Sequence, residues 1–80
     1  MTNDEIAREL RTRAADLARA GDNLYRVRAF RRAALAVQAL PEPVTELVAA
    51  AGPKGLERLV GVGRSLAGTI AGLAADPLAA

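Results

Sequence analysis

Leu59-Val60-Gly61-Val62-Gly63-Arg64-Ser65-Leu66-Ala67-Gly68-Thr69-Ile70 sets a Gly-x-Gly turn between an apolar residue and an amphipathic helix that opens on a basic and a hydroxyl residue. Gly61 can take φ > 0 and turn the chain sharply between two helices, while Gly63, without a Cβ, lets another backbone come close. The helix starting near Arg64 exposes unpaired N–H groups and the positive end of its dipole, which together suit an anion such as a phosphate oxygen. Arg64 adds a full charge there. Leu66, Ala67, Ile70 and either Leu73 or Ala74 form one apolar stripe at helical spacing. Two glycines also end many ordinary helical hairpins, so the weight falls on the whole pattern: Leu56 and Leu59 before the turn, Val62 between the glycines, and the stripe after it.

Outward from this stretch, eighty residues suffice for one small domain, near the lower limit for a core without staples. Cys and His are both absent, which removes disulfides and the usual zinc sites. Hydrophobic residues make up 51% of the chain but include only one Tyr, one Phe and no Trp, so the core must be built from Ala, Leu, Val and Ile. That composition favours helices. No apolar run approaches the roughly 20 residues that span a bilayer, and the start is polar and acidic where a secretory signal would be basic. A soluble cytoplasmic, nucleoid-associated monomer without membrane contact is expected. The net charge is only +2, yet the sequence pI is about 9.9, and ten of the eleven basic residues are Arg.

At the N-terminus, Thr2 or Asn3 can cap a helix, and Glu5 stands three residues after Thr2 as a capping box requires. The helix is predicted to run to about Ala20, with Ile6, Leu10, Ala14 and Leu17 inward and charges of both signs on a solvated outer face. Gly21 suits the residue after its end, and Asp22 or Asn23 can cap the next helix. There, in Asn23-Leu24-Tyr25-Arg26-Val27-Arg28-Ala29-Phe30-Arg31-Arg32-Ala33-Ala34, four arginines fall within seven residues and no acid relieves them. Helical spacing turns Val27, Phe30, Ala34 and Val37 toward the core and leaves Arg28 and Arg32 opposite, with Arg31 at their flank and Leu35 on the same side. Crowded like charge costs helix stability unless an anionic partner is present, although it also occurs on plain solvated faces. Pro41-Glu42-Pro43 stops this helix and can start another at Pro43. Val44, Leu47 and Val48 make a short apolar face ending at Gly52-Pro53, and Leu56-Glu57-Arg58-Leu59 is predicted as the first helix of the hairpin pair. The tail, Asp76–Ala80, is expected to fray. The predicted core is Ile6, Leu10, Leu17, Leu24, Val27, Phe30, Val37, Leu47, Leu56, Leu59, Leu66 and Ile70.

The hairpin stretch resembles the helix-hairpin-helix motif of DNA repair proteins. Taken with the arginine block some thirty residues earlier, the chain over roughly residues 3 to 74 resembles the N-terminal domain of family X DNA polymerases, the polymerase β type. The resemblance implies an all-α compact bundle of four or five short helices that grips DNA backbone phosphates, at a gap or nick in repair, without reading sequence. It implies DNA contacts from Gly61, Val62, Gly63, Arg64 and Ser65 at the turn and from Tyr25, Arg26, Arg28, Arg31 and Arg32 on the arginine helix. Tyr25 falls where the family can stack a side chain on a base. It also suggests a monovalent cation, Na+ or K+, on the main-chain carbonyls of Leu59 and Val62, with no other cofactor. Departures bear on activity: the position of the family's Schiff-base lysine is Thr69, whose hydroxyl cannot form an imine, and a phosphate-binding lysine position is Ser65. The only lysine, Lys54, lies in a loop before the turn. The expected protein is therefore a phosphate-gripping module that is not an enzyme. The alternative is a helical protein-interaction module without DNA binding.

Overall fold

Thr2 and Glu5 form the predicted capping box: the Glu5 amide donates to Thr2 Oγ1 at 3.1 Å, and the Thr2 amide donates to Glu5 Oε1 at 2.8 Å. The helix that follows, α1, spans Asn3–Arg19. The computed structural model describes residues 1–75, so the tail expected to fray lies outside the described residues. After Gly21, Asn23 rather than Asp22 caps α2 (Leu24–Ala39), its Oδ1 accepting from the Tyr25 amide at 2.8 Å. A tight connection turns α2 back along α1, and Arg11 near the middle of α1 donates to Gln38 near the end of α2 at 3.0 Å. These two helices share the most extensive contact in the molecule.

α3 spans Val44–Ala51, with Pro43 as its N-cap rather than its first helical residue. Pro43 has no side-chain oxygen to offer, and Asn3 supplies one from the far end of the chain. Its Oδ1 accepts from the Val44 amide and its Nδ2 donates to the Glu42 carbonyl, both at 2.8 Å. One amide side chain thus stands in for a strand's donor and acceptor and clasps α1 to α3.

The predicted helix over Leu56–Leu59 is not formed. A 3-10 turn occupies Pro53–Leu56 instead, followed by turns in which the Leu59 amide donates to Leu56 O and the Val62 amide to Leu59 O, each at 3.1 Å. Gly55 presses so close to α3 that a Cβ there would lie 3.0 Å from Ala51 Cβ. The last helix, α4, spans Arg64–Ala75. Among the described residues the architecture is thus four α-helices and one 3-10 turn, without strands, an all-α bundle. None of these helices is long and apolar enough to cross a membrane.

Ile6, Leu10, Val27, Val37, Leu56 and Ile70 are fully buried as predicted, each contributing about 1.5–3 kcal/mol. Leu17, Phe30, Leu47, Leu59 and Leu66 are only half-buried, and Leu24 is 65% exposed. Leu24 opens α2 just beyond the end of α1, where no neighbouring helix remains to cover it. Ala14 and Ala34 are buried as their spacing predicts, and Ala7 and Ala33 fill the core beside them, since small side chains let α1 and α2 approach closely.

Candidate functional site

Gly61 takes φ 82°, as the turn requires, and a Cβ on it would touch Arg32 Cβ at 3.5 Å. The hairpin therefore backs onto α2 at Arg32. Val62, only 5% exposed, plugs the turn into the core, and its amide is occupied by Leu59 O. Gly63 acts as the N-cap of α4, its carbonyl accepting from the Ala67 amide at 2.9 Å.

What Gly63 lacks matters more. With no side chain it supplies no capping oxygen, and among the described residues no hydrogen bond reaches the amides of Gly63, Arg64, Ser65 or Leu66. The other three α-helices each have a side-chain acceptor at their start, from Thr2, Asn23 and Asn3. Nothing lies within 4 Å of where a Gly63 Cβ would be. The open amides and the positive end of the helix dipole thus face outward.

They face a groove of about 560 Å³ between the hairpin and the first half of α2. Tyr25, Arg26, Arg28 and Arg32 line one side, and Gly61, Gly63, Arg64 and Ser65 the other. Two blocks some thirty residues apart in sequence therefore meet. Among the described residues, no acidic one lines the groove. Arg26 is held by Asp22 at 3.2 Å, but among the described residues Arg28, Arg31, Arg32 and Arg64 make no ion pair. Three unpaired guanidiniums and a bare helix start thus converge, an arrangement that repels cations and favours a multiply charged oxyanion.

Two predicted contact residues fall outside this lining. Arg31 stands exposed on α2 about 100° around from Arg32, and Val62 acts from inside as the turn's anchor. The groove also includes Ala29, Phe30, Leu66 and Thr69, of which Thr69 donates its hydroxyl to the Ser65 carbonyl at 3.2 Å. Ala29 follows from Tyr25 and Thr69 from Ser65 by one helical turn, so the lining was there to be found by extending each motif by four residues.

The described residues contain no cluster of acidic side chains that could hold a metal. A cation under the hairpin would rely on main-chain oxygens. The Leu59 carbonyl already accepts from Val62 and keeps one lone pair, while the Val62 carbonyl accepts no hydrogen bond among the described residues. A family model described as a helix-hairpin-helix domain matches residues 1–75. No curated protein and no solved structure matches the chain.

Proposed function

The chain belongs to the helix-hairpin-helix domain family, and from that premise we propose that it is a DNA-binding module which grips backbone phosphates at a gap or nick, with a role in repair. Domains of this family generally bind DNA without reading its sequence. The observation that carries the reading is the groove, where the uncapped α4 amides and the unpaired Arg28, Arg32 and Arg64 face one another with no acid between them. Backbone amides and guanidiniums there bind phosphate oxygens and leave base edges unread. The likeness to the polymerase β N-terminal domain supports the finer reading, in which the phosphate is a 5′ end. The same likeness supports a Na+ or K+ ion on the Leu59 and Val62 carbonyls, where it would add positive charge beside the phosphate.

On this reading the module binds without catalysing. Thr69 lines the groove where lyase chemistry would need an amine, and Lys54 is outside the lining. The protein acts as a cytoplasmic, nucleoid-associated monomer.

Fluorescence anisotropy with a gapped duplex carrying a 5′-phosphate tests the proposal. Affinity should fall log-linearly with salt, and Arg32→Ala and Arg64→Ala should each weaken it about tenfold on any sequence while lowering the salt slope by about one. Borohydride trapping on a 5′-deoxyribose phosphate end should give no adduct at Lys54. Absence of binding at low salt would remove the DNA reading. A protein-interaction module is then favoured by Leu24, Leu35 and Val60, which stand 65%, 66% and 89% exposed, and a salt-independent partner would be its signature.

A further inference from the structure

Phe30 is the largest apolar side chain in the sequence and yet is only half-buried. Its ring closes the groove on one side and borders a second hollow on the other. That hollow, of about 400 Å³, is lined by Arg13, Asp16, Leu17 and Ala20 from α1 and its cap, and by Arg26 and Phe30 from α2. Arg26 and Phe30 are common to both linings.

We propose that this second hollow receives an unpaired nucleobase from the strand whose phosphates occupy the groove, an inference that rests on the DNA-binding reading. The two hollows differ in charge. Around the second one every ion is already matched: Arg13 with Glu9 at 3.5 Å, Arg26 with Asp22 at 3.2 Å, and Asp16 with Arg19. A second phosphate would gain no free cation there and would meet the Asp16 carboxylate. Leu17, Ala20 and Phe30 supply its apolar lining, and Arg13, Arg26 and Asp16 supply guanidinium planes and one carboxylate acceptor. A flat ring with an apolar face and an N–H edge fits that chemistry, stacking on Phe30 and donating to Asp16. A base paired within a duplex would have to give up its pairing and stacking to enter, so the hollow favours single-stranded DNA next to the phosphate grip.

The test uses the whole chain and two 5′-phosphorylated strands of equal length, octathymidylate and its fully abasic counterpart. The base-bearing strand should bind about tenfold more tightly, the scale of one stacked base. Ala20→Leu, at an exposed helix-cap position, should fill the hollow and abolish that ratio while leaving affinity for the abasic strand unchanged. Leu35→Ala, exposed and outside both linings, should retain the ratio. Equal binding of the two strands by the parent, or a ratio that survives Ala20→Leu and vanishes in Tyr25→Ala, would overturn the proposal while sparing the phosphate reading. Binding of neither strand at low salt would overturn both.

Discussion

The starts of α1 and α4 offer the same backbone chemistry and treat it in opposite ways. Each helix opens with amides that no preceding turn can satisfy. At α1, Thr2 and Glu5 close the problem within four residues, and Asp4 and Glu5 oppose the dipole. At α4 the N-cap is a glycine, the first turn carries Arg64 and no acid, and the amides stay open. A helix start left uncapped, on the rim of the groove, is the feature on which the proposed anion binding rests.

The sharpest way to break this contrast is to give α4 the cap that α1 has. Gly63→Asp should satisfy the open amides internally and stabilise the fold by up to about 1 kcal/mol. The same carboxylate would occupy the phosphate position, and affinity for gapped DNA should drop by about a hundredfold or more as charge-assisted hydrogen bonds are lost. Gly63→Val should also block binding but without the stabilisation, since its side chain has open space and no acceptor. Thermal melts alongside anisotropy check both variants. A capped α4 that still binds as the parent does would reduce the hairpin to a turn.

Next in size is the borrowed cap of α3. Asn3→Ala removes two partly buried hydrogen bonds and should cost about 2 kcal/mol, read from urea unfolding. DNA affinity should be unchanged once the variant is folded, since Asn3 lines no part of the groove. The smallest effect belongs to α1 itself. Glu5 is held below its ordinary carboxyl value, chiefly because it accepts the Thr2 backbone N–H and then its hydroxyl. A lowered native pKa means that the box contributes fully above the ordinary value of 4.5 and is lost as pH falls through the lower native one. The melting temperature of the parent should therefore decline across that window slightly more than that of Glu5→Gln, which cannot ionise.

Local rules made much of this legible in sequence. The capping box, the Asn23 cap, the break at Gly21 and the positive φ of Gly61 each depend on neighbours within four residues, and each forms. Size-based reading of the core succeeded for Ile6 or Ile70 and failed for Leu24 and Phe30, because periodicity gives the direction of a side chain but not whether anything stands opposite. Ala14 and Ala34 are buried as their spacing indicates, whereas Ala7 and Ala33 escaped for the complementary reason: their burial follows from how closely two helices approach. At the site, the meeting of the arginine block with the hairpin was anticipated through family resemblance. The release of Arg28, Arg32 and Arg64 from every carboxylate of the described residues is a tertiary fact that no spacing contains. Asn3 bonding to residues about forty positions away was invisible for the same reason.

That long reach of Asn3 governs the order in which the molecule assembles. Closing a loop of such length costs more chain entropy than forming the neighbouring α1–α2 pair, so the pair is expected to form first and the clasp to close on a chain already near its final shape. An interaction made after the barrier slows escape from the native state and leaves the approach to it untouched. Opening Asn3 should raise the unfolding arm of a chevron plot while the folding arm stays where it is. The clasp is thus a latch on the lifetime of the folded form.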